Sequence, residues 1–318
     1  MSTQLIDPPA AILDNQPGSA RPIPNCESDE QDAIFASFRP ANLTWKNLDW
    51  VVLIWMIAMH LGCLAAPFFF TWKALGVTVL LHWLTASVGI CLGYHRYLAH
   101  RALKLKWPAE FFVLMCSSVA GEGPPLTWTA THRLHHQRSD LDGDPHSPLE
   151  GKWWSHMLWL FVNRTPLQQD ALFRRYVPDL VDRPLIQFFN RTRGLWPVAM
   201  GVGLFVLGGL PMLIWGLCVR MVVAYHSTWF VNSATHLWGY RNYETGDESR
   251  NLWWVALVSY GEGWHNNHHA HPTVAPAGHH WWELDMTWWT IKALRFCGLA
   301  TDVKDQIPAK TAKNANAA

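Results

Sequence analysis

The sequence predicts an all-α integral membrane protein in which four transmembrane helices form two hairpins beneath a cytoplasmic helical cap. Three observations lead to this prediction. Half of the 318 residues are apolar and 15% are charged, whereas about 25% of the residues in typical soluble domains are charged. Long apolar runs come in two pairs, and clusters of histidine follow these runs at helical spacing.

The composition also limits the kind of partner. A net charge of +1 gives no basic field, so we expect no nucleic-acid partner. The 21 tryptophans favour membrane interfaces, and the 17 histidines supply the side chain that binds metals most often. The six cysteines are scattered without a C-x-x-C pair, which favours buried reduced thiols over a disulfide scaffold or a zinc site.

The two ends of the chain are predicted to be tails. Residues 1–44 are rich in Pro, Asp, Asn, Ser and Gln, and no apolar run follows a basic start. We therefore expect a flexible tail and no secretory signal. The membrane domain is expected to cover residues 45–302, and the polar residues 303–318 are expected to fray.

Four apolar runs give the predicted spans, at residues 48–66, 72–94, 190–207 and 212–236. A helix needs roughly 20 apolar residues to cross a bilayer core, and the first two runs are each long enough for that. The third run is short if it starts at Leu195, so its helix is expected to begin upstream of that residue. Turns at Pro67 and at Gly208-Gly209 join them as two hairpins. A further run, residues 111–120, is too short to cross and is expected to be re-entrant or interfacial. Arg220 is costly inside the fourth span unless its side chain reaches the surface or pairs.

Two hairpins place both termini on one side of the membrane, together with the segments 95–194 and 237–318. Of the 25 Lys and Arg residues, only Lys73 and Arg220 fall within the two apolar hairpins, residues 48–94 and 195–236. The positive-inside rule therefore predicts a multi-pass protein whose termini and functional site face the cytoplasm.

Nine histidines cluster where the predicted spans meet the cytoplasm, and Asn232 lies one helical turn before one of them. The nine are His95, His100, His132, His135, His136, His236, His265, His268 and His269. Each residue turns an α-helix by about 100°, so the H-x2-H-H clusters at 132–136 and 265–269 each present one face. Residues five apart differ by about 140°, so His95 and His100 cannot share a face of a regular helix. We expect the second span to end near His95.

Nine imidazoles are too many for one metal ion, which often takes four protein ligands, and they suit two ions. Imidazole is a good ligand for Zn, Cu, Fe and Ni. The clusters contain no cysteine, which argues against an iron–sulfur centre.

This pattern resembles the membrane-bound fatty acid desaturases with three histidine boxes, and within them the delta-9 acyl-lipid and acyl-CoA branch of cyanobacterial and bacterial type. The boxes are H-x4-H at 95–100 and H-x2-H-H at 132–136 and 265–269. Three further segments are similar in sequence to that branch: residues 229–236, residues 261–269 and Asp144-Pro145-His146. The resemblance covers residues 45–302.

The resemblance implies a di-iron centre in the cytoplasmic cap, with no catalytic residue beyond the metal ligands. One iron would be bound by His95, His100, His132, His136 and His269. The other would be bound by His135, His236, His265 and His268, with Asn232 reaching it through water. The candidate supporting residues behind the ligands are Asp144, His146, Glu262 and Trp264. His271 is either a surface residue or a tenth contact.

The activity that the resemblance implies is oxygen-dependent desaturation in unsaturated fatty acid biosynthesis. O2 would be the co-substrate, and a cis double bond, at delta-9, would enter a saturated chain such as stearoyl or palmitoyl. The acyl carrier would be a membrane glycerolipid or CoA. We find no motif of a fused electron-transfer domain, so we expect a separate donor, a ferredoxin first and a cytochrome-b5-type protein second. The surface around Arg96, Arg133 and Arg138 would receive an acidic donor or a lipid head group, or would be an ordinary positive-inside surface.

Other functions fit parts of the pattern. A related di-iron membrane hydroxylase or monooxygenase of lipids or alkanes would use the same boxes. A non-enzymatic membrane metal- or haem-binding protein would also use histidines, although paired haem ligands are expected deep in facing helices. A metal transporter would need polar groups along its spans, and these spans have few.

Overall fold

The structure, a computed structural model, describes residues 34–308 and is mostly helical, as the sequence predicts. The α-helices are α1 Trp50–Leu64, α2 Trp72–His82, α3 Trp107–Ala120, α4 Pro125–Arg138, α5 Lys152–His156, α6 Pro166–Tyr176, α7 Pro184–Arg191, α8 Leu195–Leu213, α9 Arg220–Leu237, α10 Trp253–Val258, α11 His265–Ala270 and α12 Met286–Phe296. The π-helical segments are Trp83–Ala99, which continues α2, and Ile214–Val219, which joins α8 to α9. The strands, β1 Lys104–Leu105 and β2 Ala300–Thr301, form an antiparallel pair.

Two helices of the described chain are long and apolar enough to cross a membrane. One is Trp72–Ala99, and the other is Leu195–Leu237, which includes a break. The first predicted span corresponds to α1, which is apolar but has 15 residues. The predicted start of the third span near residue 190 is wrong, because α7 ends at Arg191 and a new helix begins at Leu195.

The Leu195–Leu237 helix folds back on itself at a pair of glycines. Gly209 has a φ of 63°, a backbone conformation that glycine adopts without steric cost. On either side of this turn, Leu217 lies against Gly201 and Leu204 lies against Gly216. The two halves are therefore antiparallel, and the fold at this point is a helical hairpin.

Helices α1 and α8 turn an apolar face outward. The exposed side chains are Val51, Ile54, Ile57, Leu61 and Leu64 on α1, and Leu195, Val198, Val202, Phe205 and Val206 on α8. Their spacing, mostly three or four residues, produces one continuous stripe on each helix. Apolar surface of this extent is unfavourable in water and favourable in lipid. These faces therefore fit a bilayer.

The helix that begins with α2 does not end near His95. It continues as the π-helical segment to Ala99, and the backbone N–H of His100 donates to the carbonyl of His95 at 3.0 Å. This is an i→i+5 hydrogen bond, which joins residues one turn apart in a π-helix. The expected end of the span near His95 was wrong because it assumed the α-helical period.

Helix α3 packs closely against the π-helical segment at two glycines. A Cβ at Gly89 would lie 2.7 Å from the backbone N of Ser117, and one at Gly93 would lie 2.7 Å from Val113 Cγ1. Only glycine permits this approach. The short apolar run therefore forms a mostly buried helix beside the second predicted span.

Both predicted tails include residues that pack against the rest of the fold. Near the start, Ile34, Phe35 and Phe38 are buried in the core. Near the end, the backbone N–H of Lys304 donates to the carbonyl of Ala102 at 2.9 Å. The expected tail boundaries were wrong here, because apolar side chains and backbone bonds attach these segments. Residues 1–33 and 309–318 lie outside the described residues.

The side chain of Arg220 neither reaches the surface nor forms an ion pair with a described residue, the two arrangements expected for a charge within a span. Its side chain is fully buried and donates to the carbonyls of Gly216 and Val119 and to the hydroxyl of Thr85. Oxygen atoms of neighbouring helices thus replace water around the guanidinium.

Candidate metal centre

All nine predicted histidines meet in one region. One lies in the π-helical segment and one directly after it, three lie on α4, one lies at the end of α9 and three lie on α11. They form two groups, and within each group the possible ligand nitrogens lie within 4.8 Å of one another. The first histidine group is His95, His100, His132, His136 and His268, and the second is His135, His236, His265 and His269.

In the first histidine group, five Nε2 atoms converge. The distances between these atoms are 3.0 Å for His95–His268, 2.9 Å for His268–His136, 3.1 Å for His136–His132 and 2.8 Å for His132–His100. At metal–nitrogen distances of about 2.0–2.1 Å, two ligands at a right angle lie about 3 Å apart. The spacing therefore fits imidazoles arranged around one ion.

The second histidine group is fully buried. The Nε2 atoms of His265 and His236 are 3.0 Å apart. Those of His135 and His269 have no hydrogen-bond partner among the described residues. Buried polar atoms without a partner are costly, and a metal ion would satisfy both. This group fits a second ion.

The expected division of the ligands was wrong for two residues. His268 belongs with the first group and His269 with the second. The two are consecutive on α11, so their side chains point about 100° apart and reach different groups. Asn232 lies half-buried on α9, one turn before His236. His271 packs against Tyr243, outside both groups.

Carboxylates stand behind four of the histidines. The pairs join Nδ1 to a carboxylate oxygen, at 2.9 Å for His135–Asp144, 2.8 Å for His236–Asp140, 2.5 Å for His269–Asp247 and 2.8 Å for His95–Glu262. A carboxylate at Nδ1 fixes the ring and leaves Nε2 free for a metal, an arrangement common behind ligating histidines. The histidines are thus held in a ligating orientation.

The sequence indicated two of these carboxylates and missed the other two. Asp144 and Glu262 lie beside histidine boxes and were predicted as supporting residues. Asp140 lies in the same acidic stretch as Asp144, and that stretch was the available signal. Asp247 lies 22 residues before His269 and only the fold brings the two together.

Glu262 also connects the first group to a buried charge network. Its carboxylate accepts hydrogen bonds from Arg96 at 2.9 and 3.1 Å. Arg96 in turn donates to Asp285 at 2.9 and 3.0 Å. Burial alone would raise the pKa of Glu262, but Arg96 and His95 outweigh it and lower that pKa to about 2. The carboxylate is therefore charged at neutral pH.

The other two predicted supporting residues differ in their contacts. His146 is buried, its ring lies 4.3 Å from that of His135, and its Nδ1 is 4.0 Å from Asp144. Trp264 is buried just before α11 and donates its ring N–H to the carbonyl of Leu284 at 2.9 Å. His146 thus packs directly against a histidine of the second group, whereas Trp264 lies at the start of α11.

Burial keeps most of the ligand candidates neutral. It lowers the pKa of five of them well below its ordinary value, and neighbouring histidines add to the effect. These five are His100, His132, His136, His265 and His268. His135 differs: burial lowers its pKa, but Asp144 outweighs burial and raises it. Neutral imidazole offers the lone pair that a metal ion needs.

The arginines expected to form a basic surface do not form one. Arg96 is buried in its ion pairs. The side chain of Arg133 is 8% exposed and pairs with Asp179 at 2.6 Å. Arg138 lies over the ring of Phe35, 4.4 Å from its centroid. Their charges are therefore engaged within the fold.

Histidines inside the predicted spans bond to neighbouring helices. His60 Nε2 is 3.2 Å from His226 Nε2, and His226 Nδ1 is 2.9 Å from His156 Nε2. His82 bonds to the hydroxyl of Tyr260 at 2.7 Å. These histidines thus make hydrogen-bonded contacts outside the two histidine groups.

Two apolar cavities lie away from the histidine groups. One, of ≈ 730 Å³, is lined by residues that include Phe70 and Trp215. The other, of ≈ 510 Å³, is lined by residues that include Trp83 and Trp289. Neither lining contains a histidine.

Comparison with known proteins agrees with this geometry. The sequence model of the fatty acid desaturase family matches residues 70–299, which contain all nine histidines. The chain belongs to the fatty acid desaturase family. It is accordingly an oxidoreductase of lipid metabolism and a membrane protein, and the predicted resemblance is confirmed.

Three relatives cover most of this desaturase. A sn-2 palmitoyl-lipid 9-desaturase of Nostoc sp. (strain 36) is 44% identical over 278 residues, which are 87% of this chain and 97% of that protein. A sn-1 stearoyl-lipid 9-desaturase of Anabaena variabilis is 44% identical over 267 residues, 83% of this chain and 97% of that one. The chloroplastic palmitoyl-monogalactosyldiacylglycerol delta-7 desaturase of Arabidopsis thaliana is 48% identical over 261 residues, 82% of this chain and 70% of that one.

Proposed function

We propose that this desaturase introduces a cis double bond at the delta-9 position of a saturated acyl chain, using O2 and a di-iron centre held by the nine histidines. The observation that carries the proposal is the convergence of buried imidazole nitrogens in two adjacent groups. Imidazole is a good ligand for iron, and nine of them exceed what one ion can bind. Asn232 would complete the second position through water.

In the proposed reaction the metal centre would supply the oxidising chemistry, and the residues of the chain would position the groups that take part. When bound, two iron ions would supply the oxidising power that removes two hydrogens from a CH2–CH2 pair as O2 is reduced. With two electrons and two protons from outside, the products are the alkene and two waters. The chain's own residues fix the ligand rings through carboxylates and shield the centre from bulk water.

The acyl carrier is proposed to be a membrane glycerolipid, with CoA as the second candidate. Two of the relatives are named as lipid 9-desaturases, which supports both the carrier and the bond position. The delta-7 relative is at least as similar in sequence, so bond position depends on features other than overall identity. The electrons are proposed to come from a separate protein, a ferredoxin first and a cytochrome-b5-type protein second.

We also propose that four helices cross the membrane as two hairpins, with both termini and the metal centre facing the cytoplasm. The outward apolar faces of α1 and α8 support this arrangement. So does the antiparallel packing on either side of Gly209. Loop arginines and lysines support the orientation through the positive-inside rule.

The test is the fatty acid profile of membranes that contain this chain with a ferredoxin and its reductase. Gas chromatography with double-bond location should reveal a new cis-monoene at delta-9, and lipid classes are analysed separately. The matched control is His135→Ala, which removes one buried ligand. A hydroxylated product would instead favour the hydroxylase alternative, and a monoene at another position would contradict delta-9.

A further inference from the structure

The carboxylates behind the ligands are unevenly divided between the two histidine groups. Among residues 34–308, three of the four histidines in the second group have a carboxylate within 3 Å of Nδ1, and one of the five in the first group does. The three on the second group are Asp140, Asp144 and Asp247. The one on the first group is Glu262.

The charges of these carboxylates are also compensated differently. Glu262 forms an ion pair with Arg96, which it shares with Asp285, so the positive charge of Arg96 offsets part of the negative charge there. Asp144 accepts instead from the backbone N–H groups of Asp140 and His146. Peptide N–H groups orient a carboxylate without neutralising it.

The same holds for the other two aspartates. Asp140 accepts from the backbone N–H of Glu248 at 2.8 Å and from the hydroxyl of Ser147 at 3.2 Å. Asp247 accepts from the hydroxyls of Thr245 at 2.8 Å and Ser249 at 2.5 Å. Three carboxylates that have no paired cation among the described residues therefore surround the second position, whereas the one carboxylate at the first position is partly offset by Arg96.

We infer that the two metal positions differ in affinity, and that the second histidine group retains its ion when the first has been emptied. This inference rests on the proposed metal centre. A buried dication gains from each uncompensated negative charge, whereas the extra histidine of the first group adds only a neutral ligand. Loss of one partner behind a ligating residue typically costs about 10- to 100-fold in metal affinity. The second group has two more such carboxylate partners than the first, so the difference in metal affinity between the two positions should be large enough to measure.

The experiment is stepwise removal of metal from the purified, iron-loaded full chain with increasing concentrations of chelator. Iron per chain is measured by elemental analysis, and ⁵⁷Fe Mössbauer spectra distinguish the two environments. We expect a plateau at one iron per chain between two steps. His100→Ala, in the first group, should keep the tightly held iron, and His265→Ala, in the second, should lose it.

Conservative variants keep the test valid if a histidine variant does not fold. Asp144→Asn and Asp247→Asn retain shape and an oxygen acceptor but remove charge. Each should lower the chelator concentration of the second step by about 10- to 100-fold. Glu262→Gln should shift the first step only.

The outcomes separate this inference from the proposed function. Two irons lost together, or an iron that survives in His265→Ala but not in His100→Ala, would overturn the inference and leave the di-iron desaturase intact. A chain that binds no iron would overturn both.

Discussion

The backbone N–H of His100 donates to the carbonyl of His95 at 3.0 Å, and this one hydrogen bond brings both imidazoles into the first histidine group. An i→i+5 hydrogen bond joins residues on successive turns of a π-helix, so the H-x4-H spacing places both side chains on neighbouring positions of one side. The π-helical segment also packs tightly against α3 at Gly89. The geometry of two ligands therefore depends on how this segment packs.

Gly89→Ala should destabilise the protein and reduce its iron content. The new Cβ would lie 2.7 Å from the backbone N of Ser117, and backbone atoms cannot move aside easily. Overpacking of this kind costs about 1–3 kcal/mol. The control is Gly76→Ala on the same helix, where nothing lies within 4 Å. Melting temperatures in detergent measure the effect, and equal values for both variants would contradict the packing argument.

Arg96→Ala should be strongly destabilising. It would leave two buried carboxylates, Glu262 and Asp285, without their positive partner, a loss of about 3–5 kcal/mol. The matched control is Arg295→Ala, which breaks an exposed pair with Asp305. Exposed pairs contribute about 0–1 kcal/mol. Thermal unfolding compares the two, and a small effect for Arg96→Ala would mean that the network is not structural.

Stability of the metal-free protein should fall as pH decreases below about 6.5, the pKa of an unfolded histidine. Burial lowers the pKa of histidines such as His132 and His268 in the folded state. The unfolded chain therefore binds more protons below that pH, and protonation favours unfolding. Melting temperatures at about pH 7.5 and about pH 5.5 test the sign. An unchanged or higher value at the lower pH would refute it.

Phe35→Ala should loosen the loop that carries Asp140 and Asp144. Phe35 is buried and lies against Gly143 of that loop. Truncating a buried phenylalanine costs about 3–5 kcal/mol. Hydrogen exchange of residues 139–147 should become faster, whereas Leu149→Ala, at a side chain that is 72% exposed, should leave it unchanged. Equal protection in both variants would show that the N-terminal segment does not support the loop.

Most of the centre could be predicted from the sequence because histidines three and four residues apart share a face of any α-helix. Two features could not be derived from residue spacing, although the family resemblance placed His95 and His100 at one iron. The pairing of His95 with His100 depends on a π-helical turn that residue spacing does not reveal. The assignment of His268 and His269 depends on how a six-residue helix, α11, is rotated by its contacts.

The carboxylates behind the histidines could also be predicted only in part from the sequence. Asp144 was predictable because it follows the second box closely in the chain. Asp247 was not, since its contact with His269 exists only after the loop between α9 and α10 has folded over α11. Local sequence therefore predicted the ligands, while tertiary packing determines what holds them.

The central claim is that nine histidines bind two irons, and the most direct measurement is the iron content of the purified chain. Elemental analysis against protein concentration should give two irons per chain. Two single variants, His132→Ala in the first group and His236→Ala in the second, should each lower the number of irons per chain. A wild-type chain that purifies active but with one iron, or with none, would contradict the account.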